Sequence, residues 1–324
     1  METKVNPFDL VVYHVGGSGG YGPAARVSRA FKQNTTVILF EAREGTENFG
    51  HKTTDKITVI NRCIDETAGT VKFNVNKHAH SSSILKGAKL AEREDPGWPH
   101  VLTWAENVEL EREAEFQTVS MDEFVKSEEA PAPDVLSIDA QGAEMRILRG
   151  SAATLSNHIL ALITEVEFSE IYEGQGLFDE QMTLLRKDHF RLVELENMQR
   201  WHPGAGIGHG FLTVAEALWI RYVGEFDTGL GAQHHGECTP QSLVRLAMVA
   251  FAFERLSYCI RILDLVKHHH PLTFYEAMEQ AHLAKMLRIY DHLTSEPHGV
   301  RLDVALRIQN NRLIQLANEG TRAT

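Results

Sequence analysis

The stretch Asp134-Val-Leu-Ser-Ile-Asp139-Ala-Gln-Gly142-Ala-Glu144-Met-Arg-Ile-Leu-Arg-Gly150 says more about the fold than any other part of the chain. Its apolar start predicts a buried strand that ends at an acid, Asp139. A tight glycine turn and the beginning of a helix follow directly. Because ligands in open α/β sheets bind at the carboxyl ends of the strands, we expect Asp139 to project into a site.

A second strand–glycine–helix unit lies near the N-terminus. Leu10–Val15 is a short apolar run that stops at the glycine-rich loop Gly16–Gly22, and Pro23 is placed to open a helix. The next apolar run, Thr36–Phe40, ends at Glu41. The two units together predict that a cofactor site and a reaction site share one edge of the same sheet.

The longer pattern predicts an α/β fold. Strand-like runs alternate with helix-like segments up to about residue 222, as in a doubly wound, mostly parallel sheet. A stretch rich in Gly and His, residues 224–239, is interpreted as a linker. Apolar residues then recur at helical spacing over residues 240–267, 271–294 and 296–318. We therefore predict a domain of residues 1–222 and a helical C-terminal region of residues 223–324.

Composition excludes several classes of protein. The net charge of −12 argues against a nonspecific nucleic-acid binder, which needs a basic face. No apolar run approaches the ~20 residues that span a bilayer, so no membrane partner is expected. The 3 cysteines are widely spaced and form no CxxC pair, which favours a reduced, cytoplasmic protein. An acidic chain with a helical end suits a homodimer, and a monomer fits equally well.

The glycine loop and Glu41 together indicate an adenosine site. Residues 17–22 read G-x-G-x-x-G between a strand and a helix, and Glu41 follows at the tip of the second strand. Glycine allows close approach of a ligand to the backbone, and an acid at that tip can accept both ribose hydroxyls. The pattern does not separate NAD from S-adenosylmethionine, and a glycine-rich turn without a ligand is the remaining alternative.

The motif Asp139-Ala-Gln-Gly-Ala-Glu144 followed by Ile-Leu-Arg-Gly150 resembles the signature of FkbM-type methyltransferases. Other segments resemble that family in the same order along residues 10–222. They are Val11-Val-Tyr-His-Val-Gly16, Ile38-Leu-Phe-Glu41, Cys63-Ile-Asp-Glu-Thr-Ala-Gly69, Ser81-Ser-Ser-Ile-Leu85, Ile163-Thr-Glu-Val-Glu167 with Tyr172, Gly174 and Phe178, and Ala217-Leu-Trp-Ile-Arg221.

The resemblance implies a Rossmann-like class I methyltransferase that uses S-adenosylmethionine for O-methylation, often of a sugar or a natural-product hydroxyl. We predict cofactor contacts from the glycine loop and from the strand ends. These residues are His14, Gly16, Gly17, Ser18, Gly20, Tyr21, Glu41, Ala42, Cys63 and Asp139. Two positions depart from the family pattern: His14 replaces the usual acid of the first strand, and Ser137 replaces a usual lysine.

A hydroxyl acceptor must lose its proton to a base, or to a metal that lowers its pKa. Asp139, Glu144 and Glu165 are the predicted catalytic acids. Each also has a structural interpretation: Asp139 as a helix cap, Glu144 at the first helical turn and Glu165 as an ion-pair partner. Three converging acids can bind Mg²⁺ or Ca²⁺, but no metal is predicted. His78 and His80 are candidates for the wall of the acceptor pocket.

Two other functions remain open from the sequence. One is an NAD(P)-dependent oxidoreductase, prompted by G-x-G-x-x-G and Glu41, although the chain has no Tyr-x-x-x-Lys pair for hydride transfer. The other is a non-catalytic methyltransferase-like module whose helical end binds a partner protein, and His14 keeps that interpretation open.

Overall fold

The computed structural model describes residues 6–16, 22–42, 56–92, 94–97, 103–203, 209–223 and 239–295. The chain divides into two compact units, Asp9–Glu237 and a unit formed by Met1–Phe8 with Cys238–Thr324. The inclusion of the first eight residues with the C-terminal unit has no signal in the sequence. The predicted division at residues 222 and 223 stays a prediction.

Within the described residues, the larger unit contains eleven strands. They are β1 (Leu10–Val15), β2 (Thr35–Phe40), β3 (Ile57–Ile60), β4 (Cys63–Asp65), β5 (Gly69–Asn76), β6 (Glu94–Asp95), β7 (Leu110–Ser120), β8 (Val135–Ile138), β9 (Ala161–Glu167), β10 (Phe190–Pro203) and β11 (Phe211–Arg221). Its helices are α1 (Ala25–Ala30), α2 (Trp104–Asn107), α3 (Met121–Lys126), α4 (Glu144–Arg149), α5 (Ala152–Asn157) and α6 (Phe178–Lys187).

In the part of the chain that the structure describes, the main sheet has eight strands in the order β3-β2-β1-β8-β9-β11-β10-β6. The first five strands in this order, β3, β2, β1, β8 and β9, are parallel to one another. Strand β11 is antiparallel to both β9 and β10. The predicted doubly wound, mostly parallel α/β sheet is therefore confirmed. The strand order reverses between β1 and β8, and a crevice at the carboxyl ends of the strands is expected at such a point.

A smaller sheet, in the order β4-β7-β5, follows the third strand of the main sheet. Strand β4 is only three residues long, and the sequence pattern did not predict it. Its Asp65 is buried and accepts two hydrogen bonds of 2.7 Å from Arg146 of α4. This bidentate ion pair holds the small sheet against the helix that follows the signature motif.

The core of the larger unit is apolar on both faces of the main sheet, as parallel strands require. Tyr13, Phe40 and Phe124 form an edge-to-face group with ring centroids 4.9–6.1 Å apart. At the start of the signature strand, the Asp134 carboxylate accepts a hydrogen bond of 2.9 Å from the Val11 amide. These contacts hold β1, β2 and β8 in one rigid layer.

The C-terminal unit contains α7 (Pro240–Ala252), α8 (Leu256–His269), α9 (Pro271–Met278) and α10 (Ala284–Ser295). The helical period predicted over 240–267 is broken at Glu254, whose φ of 59° lies in the left-handed region. The pattern over 271–294 is likewise divided between α9 and α10. The third predicted segment, 296–318, lies outside the described residues. No helix in the described ranges is long and apolar enough to cross a bilayer.

Candidate active site

A cleft opens at the carboxyl ends of β1, β2 and β8, where the strand order reverses. Its empty volume, counted together with space open to solvent, is about 830 Å³. The lining residues predicted from the sequence as cofactor contacts are Gly16, Glu41, Ala42, Cys63 and Asp139. The topology of the sheet therefore brings together residues that are more than a hundred positions apart.

Gly16 is the closest point between the first strand and the signature loop. Its φ is +100°, and a Cβ at this position would lie 1.8 Å from the Asp139 carbonyl oxygen. The Gly16 amide also donates a hydrogen bond of 3.2 Å to the carbonyl of Phe40. No residue with a side chain fits this junction without moving a strand end, so glycine is required here by space and by backbone conformation.

Glu41 and Cys63 form the part of the wall that follows β2 and β3. Glu41 is 6% exposed and lines the cleft directly after its strand, as an acid for ribose hydroxyls should. Burial, with help from the nearby acids Asp65 and Glu41, raises the pKa of Cys63 to about 12. The Cys63 thiol therefore stays protonated and serves as a small wall residue rather than a nucleophile.

The remaining predicted cofactor contacts have different outcomes. Gly17, Ser18, Gly20 and Tyr21 lie outside the described residues. His14 is buried within β1, and its Nδ1 lies 2.9 Å from the Ser137 hydroxyl on the adjacent strand. The two departures from the family pattern are thus in contact with each other. His14 does not belong to the described wall of the cleft, and its role in cofactor binding stays a prediction.

The signature loop is tied to its neighbours through Gln141, which the sequence did not single out. The Gln141 amide donates to Asp139 Oδ1 at 2.8 Å and to Glu165 Oε2 at 3.2 Å. The Tyr172 hydroxyl lies 3.0 Å from Gln141 Oε1, and the Ser83 hydroxyl donates to the Gln141 carbonyl at 2.7 Å. This network orients Asp139 from three separate segments of the chain.

Glu144 turns back onto the loop that precedes its helix. Its Oε1 accepts a hydrogen bond of 2.6 Å from the Ala140 amide, and its Oε2 has no hydrogen-bond partner among the described residues. Glu144 is completely buried, and this desolvation, together with the charge of Asp139, raises its pKa to about 7. The geometry favours a role for Glu144 in holding the loop, and its catalytic role stays a prediction.

Glu167 is a further buried acid that was not among the predicted site residues. Both of its carboxylate oxygens lack hydrogen-bond partners in the described part of the chain. Burial raises its pKa well above the ordinary value, and Glu144 and Asp139 raise it further. Gln175 lies close enough to offset part of this rise without reaching hydrogen-bond geometry. The sequence signal for Glu167 was its position at the end of β9, two residues beyond Glu165.

Three of these acids lie close together, although Asp139 is exposed, Glu165 half-buried and Glu144 buried. One oxygen from each of Asp139, Glu144 and Glu165 lies within 4.8 Å of the others. Desolvation raises the pKa of Asp139 and of Glu165, and the charges of neighbouring carboxylates add to the rise at Glu165. Like charges at this spacing disfavour full ionisation of the cluster, and the proton is retained at the buried Glu144, whose pKa is raised to about 7. We assign no metal ion to it, because close carboxylates also occur without one.

The serine segment and the turn before it supply another part of the cleft wall. The lining residues there are Ala79, His80, Ser82 and Ile84. His80 is exposed to the cleft, whereas His78 is not among its lining residues. The sequence proposed both histidines for a pocket wall, and the structure places His80 there.

Comparison with known families agrees with this geometry. Residues 11–192, more than half of the 324-residue chain, match the family described as Methyltransferase FkbM domain. The fold and cleft define a Rossmann-like α/β protein, and the chain belongs to the FkbM methyltransferase family. It is therefore a methyltransferase, as the signature from Asp139 to Gly150 predicts.

Two solved structures also match, at low identity. One is the precorrin-6y C5,15-methyltransferase from Geobacter metallireducens GS-15, with 10% identity and a TM-score of 0.29 over 66% of this chain and 81% of that one. The other is MtNAS in complex with MTA and tNA, with 12% identity and a TM-score of 0.26 over 67% and 55% of the respective chains. None of the curated proteins matches this sequence.

Proposed function

We propose that this protein is an S-adenosylmethionine-dependent O-methyltransferase that acts on a hydroxyl of a sugar or another natural-product-like small molecule. The observation that carries the proposal is the convergence of Gly16, Glu41 and Asp139 on one cleft at the reversal of strand order. The FkbM family match supports methyl transfer, and the resemblance of the signature supports the oxygen acceptor.

The cleft fits an adenosyl group. Glu41 offers a carboxylate for ribose hydroxyls, Gly16 leaves the backbone open, and Phe40 and Ile64 supply apolar surface. When bound, S-adenosylmethionine supplies an electrophilic methyl group on a positively charged sulfur. The carboxylate of Asp139 lies in the same cleft and favours positive charge there.

The chain must also position the acceptor. The reacting oxygen has to lie about 3–3.5 Å from the methyl carbon, and holding it there supplies several kcal/mol of the rate enhancement. The loop of Asp139 and Gln141 and the serine segment both contribute to the wall, and the Ser83 hydroxyl joins them by donating to the Gln141 carbonyl. Both segments are anchored by hydrogen bonds, so the acceptor meets a preformed surface.

Binding of S-adenosylhomocysteine tests the cofactor. We expect it to bind and to raise the thermal unfolding temperature, because a ligand that binds the native state stabilises it. NADH in a parallel titration should have no effect. Stabilisation by NADH instead would favour the oxidoreductase, and cofactor binding without transfer to any member of a broad hydroxyl panel would favour the non-catalytic module. Transfer of a labelled methyl group to an oxygen of one panel member would support the full proposal.

The substitution Glu41→Gln tests the ribose contact. We expect S-adenosylhomocysteine affinity to fall about tenfold or more, because charged hydrogen bonds contribute roughly 1.5–3 kcal/mol. Isothermal titration calorimetry measures the change. The matched control is Glu66→Gln, a half-buried acid outside the cleft wall, which should leave affinity unchanged. Equal affinity for the Glu41→Gln variant and the wild type would contradict the placement of ribose at Glu41.

A further inference from the structure

His80 is a cleft residue whose position is held firmly by its neighbours. It belongs to a single 3-10 turn, Ala79–Ser81, and lines the cleft. The Asn76 amide donates to the Ser81 carbonyl at 2.8 Å, and the Ser81 hydroxyl lies 2.6 Å from the carbonyl of Asn107. The turn therefore presents the imidazole from a fixed backbone.

Asp139 lines the same cleft as His80. Desolvation raises the pKa of Asp139, and the charge of His80 lowers it by a smaller amount. The Asp139 carboxylate is also fixed by the Gln141 amide at 2.8 Å. A carboxylate in the same cleft stabilises the positive charge of a histidine that has taken a proton.

The other titratable groups near His80 are poorly suited to take a proton from an acceptor. In the cleft, Arg62 is a permanent cation, the Cys63 thiol has a raised pKa, and Glu41 is assigned to ribose. Tyr172, beside the Ser81 carbonyl, has a pKa raised by burial. His78 and Lys77 precede the turn and are outside the described wall. His80 and Asp139 remain as the proton-accepting pair of the described wall.

We propose that His80 is the general base of the methyl transfer and that Asp139 holds the charge His80 acquires. This inference rests on the proposed function. The acceptor hydroxyl gives its proton to an imidazole nitrogen of His80, and an oxygen electron pair forms the new bond to the methyl carbon. The carbon–sulfur bond breaks with its electron pair remaining on sulfur, which leaves as neutral S-adenosylhomocysteine. The imidazolium then returns its proton to solvent.

A first experiment needs no acceptor. Carbon-13 NMR titration of aspartate-labelled protein follows the Asp139 carboxyl in the wild type, in His80→Gln and in His78→Gln. Because the positive charge of His80 lowers the pKa of Asp139, we expect that pKa to rise in His80→Gln. The His78→Gln protein should titrate like the wild type. An unchanged Asp139 titration in His80→Gln would overturn the pairing.

A second experiment measures the chemical step with an acceptor that the wild-type enzyme methylates. We expect His80→Ala to lower the single-turnover rate about 100-fold or more, as loss of a general base does. Added imidazole should restore part of that rate. It would not restore the rate of a variant whose only defect is structural. The His78→Ala variant should keep the wild-type rate.

S-adenosylhomocysteine affinity separates the two proposals. It should stay within about twofold of wild type in His80→Ala, since a base for the acceptor does not hold adenosine. A wild-type rate in His80→Ala would overturn the role of His80 and leave the methyltransferase proposal standing. Absence of S-adenosylhomocysteine binding in the wild type would instead overturn the proposed function itself.

Discussion

The substitution Gly16→Ala should destabilise the larger unit by roughly 3–5 kcal/mol and abolish cofactor binding. The new Cβ would lie 1.8 Å from the Asp139 carbonyl oxygen, and the residue would have to adopt a φ of +100°. Relief of that overlap requires the end of β1 to move away from the signature loop. The same movement separates two walls of the cleft, so stability and binding should fall together.

The control for Gly16→Ala is Gly174→Ala. Gly174 also has positive φ, +71°, but a Cβ there would meet nothing within 4 Å. This variant should lose only about 1 kcal/mol of stability, which is the cost of placing alanine in this backbone conformation. Urea unfolding followed by tryptophan fluorescence reports on the larger unit, in which Trp104, Trp201 and Trp219 are buried. Equal losses of stability in the two variants would show that the overlap with the Asp139 carbonyl does not add to the cost of Gly16→Ala.

The substitution Glu167→Gln should stabilise the protein at pH 8 relative to the wild type. Glu167 is completely buried and its oxygens lack partners in the described part of the chain, so its charged form is strongly disfavoured in the native state. Glutamine has nearly the same shape and carries no charge. The gain should vanish at low pH, where the wild-type carboxyl is protonated in both the folded and the unfolded chain.

The sign of the pH dependence follows from the raised pKa values. An unfolded glutamate loses its proton near pH 4.5, whereas folded Glu144 keeps it to about pH 7. The native state therefore binds more protons in this window, and its stability falls as pH rises. For Glu144 alone, the loss amounts to about 3 kcal/mol. Glu165 and Glu167 act in the same direction, because burial raises their pKa values well above the ordinary value.

Urea unfolding from pH 5 to pH 8 measures this dependence. The wild type should lose stability across the range, and Glu167→Gln should show a shallower slope. Glu111→Gln, an exposed acid on β7, is the control and should follow the wild type. If wild-type stability instead rises between pH 5 and pH 8, the buried acids are ionised in the native protein and their charges are stabilised there.

Local sequence was sufficient to predict most strands and helices of the larger unit. The runs that became β1, β2 and β8 are short, apolar and bounded by turn residues, and each ends at Gly16, Glu41 or Asp139. A strand that is buried on both faces needs such a run, whatever its neighbours are. The elements without a signal were short, such as β4 and α2, where three or four residues contain too little periodicity to identify a strand or a helix.

The amino-acid sequence by itself determined the family, the alternation of strands and helices, and the acids at the strand ends, because these depend on neighbouring residues. Tertiary structure alone decided that His80 shares a cleft with Asp139, that Gln141 joins Asp139 to Glu165, and that Glu167 is buried without partners. These contacts join segments brought together by strand order and side-chain packing. Burial of a charge likewise depends on everything that surrounds it, and no local pattern records that environment.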